Sequence, residues 1–85
     1  MATSAVELDP RVADVRCTDA ELEILLRDGR RFAAPLHWYP RLAEAAPAQR
    51  ANWEPAAAGH GVHWPDIDED LSVEGVMRGN RAPGG

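Results

Sequence analysis

Apolar and polar positions alternate in two runs near the start of the chain, which is the pattern of half-buried β-strands. The apolar members of these runs are Ala13, Val15 and Cys17, followed by Leu22, Ile24 and Leu26. A third run ends near Pro35, whose missing N–H places it at a sheet edge or at the end of a strand. The sequence therefore predicts a small antiparallel meander over residues 12–36.

The dipeptide Asp28-Gly29 marks the turn between the second and third strands. A two-residue loop would place the apolar residues of these strands on opposite faces. A three-residue loop over 27–29 pairs Ile24 with Phe32 and gathers the apolar residues on one face, with Gly29 in the left-handed conformation. Because the buried face fixes the register of a strand, we predict the three-residue loop.

From residue 38 onward the apolar spacing becomes helical. Pro40 suits the first turn of a helix, whereas Pro47 must end that helix and can open a second one. Ala46 would be a weak N-cap for this second helix, which Pro55 stops.

The last third of the chain predicts less regular structure. Residues 55–61 are expected to form a loop, and residues 62–65 one added strand. Residues 72–78 predict a final helix of about two turns, with Gly79 placed to end it.

These elements predict an α+β fold, with a small three- to four-stranded, mostly antiparallel sheet and short helices packed on one of its faces. A length of 85 residues corresponds to a single domain, 1–85. We expect an ordered core over about residues 10–79 and two flexible termini.

Several segments in a fixed order resemble one family of small bacterial proteins, domain of unknown function 2442, over roughly residues 10–79. The segments are Asp28–Arg30, Pro35–Leu36, Tyr39–Leu42, Ala45–Trp53 and Val62–Gly79. The resemblance implies an α+β fold with a small antiparallel sheet and short helices, and it implies no established activity. Such proteins are often encoded beside another small family, domain of unknown function 4160, which suggests a toxin–antitoxin pair. Ala46 departs from the family pattern, which prefers Thr there.

Composition narrows the classes of function. The formal net charge of −5 argues against direct nucleic-acid binding, which usually requires a basic chain. The sequence shows neither an apolar run of membrane-spanning length nor a signal peptide, and Cys17 is its only cysteine, which favours a cytoplasmic protein. Residues 27–50 hold five arginines and two acids. These arginines either pair with flanking acids or form a contact surface for an acidic partner.

An acidic run, Asp66 to Asp70, resembles the opening of a calcium-binding EF-hand loop. That loop also needs glycine at its sixth position and glutamate at its twelfth, where this chain has Leu71 and Met77. We therefore predict no metal, and expect Asp68, Glu69 and Asp70 to precede or open the last helix, where carboxylates accept free amide protons. Either Asp70 or Ser72 would be its N-cap.

Other candidate sites are incomplete in the sequence. His60, His63 and Asp66 do not form a zinc site, because residues 60 and 63 of a strand point to opposite faces. Cys17 lies in a strand with its thiol facing the core, and Ser4 and Ser72 lie in a loose terminus and at a helix cap. The sequence therefore predicts neither an enzyme nor a bound cofactor.

The aromatic and arginine residues give the remaining functional indication. Trp, Tyr and Arg dominate the energetics of protein interfaces, so Trp38 and Tyr39 with Arg31 and Arg41 are a candidate interaction patch. A sheet edge is a second docking route. We predict a non-enzymatic interaction module with a small protein partner, hypothetically the antitoxin-like half of a two-protein system. The alternatives are a metal- or ligand-dependent protein using residues 66–70, and a homodimer.

Overall fold

A computed structural model describes residues 8–81, in which six strands form two antiparallel sheets. The first sheet has the order β1-β2-β3, with strands Val12–Cys17 (β1), Glu21–Leu26 (β2) and Arg31–Pro35 (β3). The second has the order β4-β5-β6, with strands Glu54–Ala56 (β4), Gly61–Trp64 (β5) and Glu69–Ser72 (β6). The predicted α+β class is confirmed. The termini predicted to be flexible fall mostly outside the described residues.

Three short helices connect and flank the sheets: Pro40–Glu44 (α1), Pro47–Ala51 (α2) and Val73–Met77 (α3). A 3₁₀ turn, Leu36–Trp38, joins β3 to α1, and a second turn, Ala57–Gly59, joins β4 to β5. None of the helices within residues 8–81 has the length and apolar character needed to cross a membrane.

The hairpin between β2 and β3 has the predicted three-residue loop. Ile24 pairs with Phe32, and the Leu26 N–H donates to the Arg30 carbonyl over 2.9 Å. Gly29 has φ +94°, a left-handed angle that a side chain would make costly. The apolar residues of β2 and β3 consequently share one face.

Strand β1 departs from the simple alternation that its sequence predicts. The register with β2 shifts between Val12 and Asp14, so that Ala13 is an extra residue in a β-bulge. Val12 and Val15 are therefore buried while Ala13 is exposed, and its expected place on the core face is wrong.

The second sheet corrects the prediction for residues 55–72. Residues 55–56, expected in a loop, belong to β4, and residues 69–72 form β6, a strand that was not predicted and that directly precedes α3. Both strands are short and polar, and both pair with the buried central strand β5. Tertiary pairing stabilises them where intrinsic propensity does not.

Prolines and a glycine delimit the helices. Pro47 follows the end of α1 and occupies the first turn of α2, as predicted. Gly79 follows the C-cap residue of α3, and its N–H donates to the Val76 carbonyl over 3.0 Å, while the Asn80 N–H donates to the Gly75 carbonyl over 2.9 Å. This pair of bonds is the Schellman motif, in which glycine takes the left-handed position.

One hydrophobic core lies between the sheets and under the helices, so the two sheets share a single interior. Trp64 of β5 is 0% exposed, and its indole N–H donates to the Arg50 carbonyl at 3.0 Å. The buried residues that form this core are Val12, Val15, Leu22, Ile24, Leu26, Ala34, Leu36, Tyr39, Leu42, Val62, Trp64, Val73 and Val76.

Candidate functional site

The four residues of the predicted interaction patch do not form one surface. Tyr39 is 1% exposed, and its hydroxyl donates to the Asn80 carbonyl over 3.3 Å. Burial raises the pKa of this phenol above its ordinary value. Tyr39 is therefore a core residue that ties α1 to the end of α3.

Two other members of the patch have contacts within the molecule. Arg41 donates to the carbonyls of Ile67 and Asp68 over 3.3 and 3.2 Å, and so holds the turn between β5 and β6. The Arg81 guanidinium lies 4.5 Å from the ring centre of Trp38, a cation–π distance. Arg31 is exposed, and within residues 8–81 its side chain has no hydrogen bond, ion pair or ring contact.

The acidic run of residues 66–70 is spread over separate contacts. Asp66 accepts a hydrogen bond from the Asn52 amide at 3.0 Å, and Asp70 lies 2.8 Å from Nδ1 of His63. Asp68 has φ +49° in the turn between β5 and β6. Within the described part of the chain, no three His, Cys, Asp or Glu residues are placed to hold a metal ion.

Asp68, Glu69 and Asp70 precede the last helix, which is one of the two expected arrangements, but among the described residues none of their carboxylates accepts an amide proton from it. Asp70 belongs to β6, where His63 on the neighbouring strand is its partner. The N-cap of α3 is Ser72, whose hydroxyl accepts a hydrogen bond from the Gly75 N–H at 2.8 Å. A cross-strand partner, which the sequence does not reveal, therefore decides the role of Asp70.

Cys17 is half-buried at the end of β1, beside Pro47 and Arg50 of α2. Burial raises the pKa of its thiol, which disfavours the reactive thiolate. Among the described residues it has no hydrogen bond to a base. Its environment is that of a packing residue.

Within residues 8–81, the sheets have four edge strands, β1 and β3 in the first sheet and β4 and β6 in the second, and these strands differ in their free backbone groups. Along an antiparallel strand, alternate residues direct N–H and C=O toward one neighbour, and the residues between direct theirs to the other side. An edge strand therefore presents outward backbone groups at every second residue, and these can recruit another strand.

Strand β1 has the central outward donor of its edge occupied. The backbone N–H of Thr18 donates to the Glu21 carbonyl at 2.9 Å. The backbone N–H and C=O of Thr18 and Arg16 therefore point toward β2, whereas those of Val15 point away from the sheet. The outward N–H of Val15 donates to Oδ1 of Asp14 over 2.8 Å. The β-bulge interrupts the regular spacing of backbone groups along this edge, and helix α2 contacts the strand.

Strands β4 and β6 also lack a free donor at a central outward position. The Val73 N–H, just after β6, donates to the His60 carbonyl. By alternation, Leu71 also directs its backbone groups to β5, and Asp70 directs its N–H and C=O away from the sheet. The N–H of Asp70 donates to Oε1 of Glu69 over 3.2 Å. In β4 the outward residue is Pro55, which has no N–H.

Strand β3 is different, because its outward donors are open. Leu26 donates to the Arg30 carbonyl and Leu36 to the Ala20 carbonyl, both over 2.9 Å, so the even-numbered residues of β3 face β2. Arg31 and Ala33 face outward. Within residues 8–81, their backbone groups have no hydrogen-bond partner on that side. We call Arg31, Ala33 and Pro35 the open edge.

Charge around the hairpin loop is unevenly compensated. Asp28 is only 2% exposed at its side chain and pairs with Arg30 at 2.9 Å. Arg30 also lies 5.9 Å from the ring centre of Phe32. Arg31, at the start of the open edge, has no carboxylate partner among the described residues. The sequence analysis named Arg31 as a candidate residue but not Ala33. Pro35, which predicts that β3 is an edge strand, was the signal that could have identified Ala33.

Residues 8–81 thus form a small α+β fold with two three-stranded antiparallel sheets, in which the edge strand β3 has a free central donor. The chain belongs to a family described as protein of unknown function, DUF2442, whose model matches residues 12–82. The family resemblance predicted from the sequence is thereby confirmed.

Two solved structures are similar to this chain. A crystal structure of a protein of unknown function from Rhodospirillum rubrum has 32% sequence identity and a TM-score of 0.72, and covers 85% of this chain and 89% of that one. A solution NMR structure of an uncharacterized protein from Chromobacterium violaceum has 23% identity and a TM-score of 0.71, and covers 85% of this chain and 68% of that one. The second likeness shows the fold alone. No curated protein matches the chain.

Proposed function

We propose that this protein is a non-enzymatic interaction module that docks a small protein partner by strand addition at the open edge. The observation that supports the proposal is the contrast among the four edges. At the central outward position, the N–H is bonded in β1 (Val15) and in β6 (Asp70) and missing in β4 (Pro55), whereas in β3 the N–H of Ala33 is free within residues 8–81. Arg31 at the start of β3 adds a second outward N–H, as Cys17 and Ser72 do at the ends of β1 and β6. In strand addition, backbone hydrogen bonds supply affinity.

The open edge also has a basis for specificity. Arg31 is exposed and has no carboxylate partner within residues 8–81, so a carboxylate on the added strand would receive a charge-assisted hydrogen bond. Ala33 is small and exposed, and leaves room for a larger side chain opposite it. The proposed partner therefore supplies an extended segment with an acidic residue near Arg31.

In its finer form, the proposal makes this protein the antitoxin-like half of a cytoplasmic two-protein system. It would act by covering a functional surface of its partner. The support for this form is the gene pairing that the family resemblance implies, together with docking through an edge that needs no catalytic residue.

Purification of a tagged version from its own host tests the proposal. Ala33→Pro removes one outward donor without breaking a bond to β2, and proline is tolerated at such edge positions. We expect a stoichiometric partner with the wild-type protein, and its loss with Ala33→Pro and with Arg31→Glu. Ala33→Ser, which keeps the N–H, and Arg16→Glu, on the opposite edge of the same sheet, should retain it.

Mass spectrometry of the eluate identifies and quantifies the partner. Absence of any stoichiometric partner, or equal recovery with Ala33→Pro and Ala33→Ser, would refute docking at this edge. Circular dichroism of each variant separates loss of binding from loss of folding.

A further inference from the structure

We propose that the open edge also pairs with the open edge of a second copy, in one antiparallel register centred on Phe32. Two sheets would then join into one six-stranded sheet across a two-fold axis. The proposal uses the same edge as the proposed function, but it requires only this chain.

The hydrogen-bonding groups of β3 select this register. With the axis at Phe32, Arg31 of one copy faces Ala33 of the other, and both residues have an outward N–H and C=O. Every free donor then meets a free acceptor. Centring the axis on Ala33 would instead set Arg31 opposite Pro35, which has no N–H to give.

The charges select the same register. Glu23 lies opposite Arg16 on β1 and opposite Ala33 on β3. In the proposed dimer, Arg31 of the other copy lies opposite that Ala33, so the row across the joined sheet is Arg16, Glu23, Ala33 and Arg31. With strands about 4.8 Å apart, the two backbones are about 10 Å apart, a gap that Arg and Glu side chains can bridge over a small alanine. Centring the axis on Arg31 would instead oppose two arginines, which is destabilising.

The opposite face of the sheet adds an apolar contact. Phe32 is half-buried, packs at the margin of the core, and would face Phe32 of the second copy in a non-hydrogen-bonded pair, where side chains approach most closely. Aromatic cross-strand pairs stabilise sheets. The pairing would therefore cover the exposed part of this ring.

Sedimentation of the purified full chain over a range of concentrations tests the dimer. The interface is small, so we expect a weak equilibrium in which dimer accumulates between about 10 µM and 1 mM. Arg31→Glu and Glu23→Arg should each raise the dissociation constant at least tenfold, because each places like charges together. The double variant has the wild-type net charge, and should return to within about threefold of the wild-type value.

Glu23→Arg also sets an arginine opposite Arg16 within its own sheet, so circular dichroism first establishes that each variant is folded. Glu44→Arg changes the charge as Glu23→Arg does, on exposed helix α1, and should leave the dissociation constant unchanged. Amide hydrogen exchange should slow at Arg31 and Ala33 as concentration rises, and stay constant at Val15. A monomer at about 1 mM, or a dimer that the double variant fails to restore although circular dichroism shows it folded, overturns the proposal. Neither result bears on docking of a different protein, which is measured with that partner.

Discussion

Ala46 shows how one residue can leave a helix incompletely capped. It is the N-cap of α2, and its backbone N–H donates to the side chain of Gln49 at 2.9 Å. This bond is one half of a capping box. The other half needs a side-chain oxygen at the cap, which alanine lacks, and the Gln49 N–H donates to the Ala46 carbonyl over 2.9 Å instead.

Ala46→Thr should complete the capping box and raise the free energy of unfolding by about 1 kcal/mol. Urea denaturation followed by circular dichroism measures the change. Ala48→Thr is the matched control, because Ala48 is also exposed in α2 but is not at the cap. A gain no larger in Ala46→Thr than in Ala48→Thr would contradict this account.

The acidic run shows where residue-level reasoning from sequence ends. Carboxylates just before a helix predict caps, and the sequence placed Ser72 among the candidates. It could not assign Asp70, whose partner His63 becomes a neighbour only when β5 and β6 pair. Likewise, Tyr39 and Trp38 have the residue types of an interface, but Tyr39 is buried in the core.

At the scale of elements, the hairpin β2–β3 depends on the carboxylate of Asp28. It accepts hydrogen bonds from the backbone N–H of Asp9 at 2.9 Å and of Arg30 at 3.1 Å. The Arg30 side chain also donates to it, which lowers the pKa of Asp28 below its ordinary value. Asp28 therefore fixes the loop to the chain segment that precedes β1.

The lowered pKa of Asp28 predicts a loss of stability in acid. A carboxyl group whose pKa is lower in the folded state stabilises it at pH values above the ordinary value of 3.8. This stabilisation is lost as the pH falls through the folded-state pKa. Asp9, beside Arg11, has a pKa lowered to about 2 and acts in the same direction.

Thermal unfolding between pH 5 and pH 2 tests this prediction. Asp28→Asn should lower the midpoint at pH 5 and flatten its decrease toward pH 2, since the variant has no proton to gain at that position. Glu44→Gln, on an exposed side chain with no ion pair among residues 8–81, should leave the slope unchanged. An equal slope in wild type and Asp28→Asn would show that Asp28 does not contribute.

The same loop depends on the backbone angle of Gly29. A Cβ added there would meet nothing within 4 Å, so the cost of substitution is conformational. Gly29→Ala should destabilise the protein by about 1 kcal/mol, and Gly29→Asn by less, because asparagine tolerates the left-handed region. Chemical denaturation measures both, and equal stability of alanine and glycine would contradict the strain argument.

At the scale of the whole molecule, the sequence predicts the first sheet well and the second poorly. The alternation of apolar and polar residues predicts β2 and β3. Their loop follows because only a three-residue loop places the apolar residues of both strands on the one buried face. Strands β4 and β6 have three and four residues without a clear period, and form by pairing with β5. The open edge is a property of topology, because only the strand order shows which outward donors lack a neighbour.

Trp64 tests whether the two sheets behave as one unit. Its side chain lies in the shared core and bonds to Arg50 of α2, so Trp64→Ala should cost about 3–5 kcal/mol. Trp53→Ala, at a half-buried position, should cost less. Unfolding of the wild type followed by fluorescence and by circular dichroism should coincide, as for one cooperative domain. Two separate transitions would contradict a shared core.

The two proposals together imply competition at the whole-molecule scale. A second copy and a different protein would use the same donors of Arg31 and Ala33. Partner binding would therefore dissociate the dimer, and apparent affinity for the partner would fall as the concentration of this protein rises.

The carboxylates that occupy the central outward amides of β1 and β6 have no counterpart on β3. At Val15 and Asp70, the carboxylate of the preceding residue occupies the outward amide. The residue before Ala33 is Phe32, which packs against the interior. An aspartate or glutamate in place of Phe32 could accept the hydrogen bond of the Ala33 N–H, but the core would then lose the packing of the Phe32 ring. Occupying the outward amide of β3 in this way would therefore destabilise the fold.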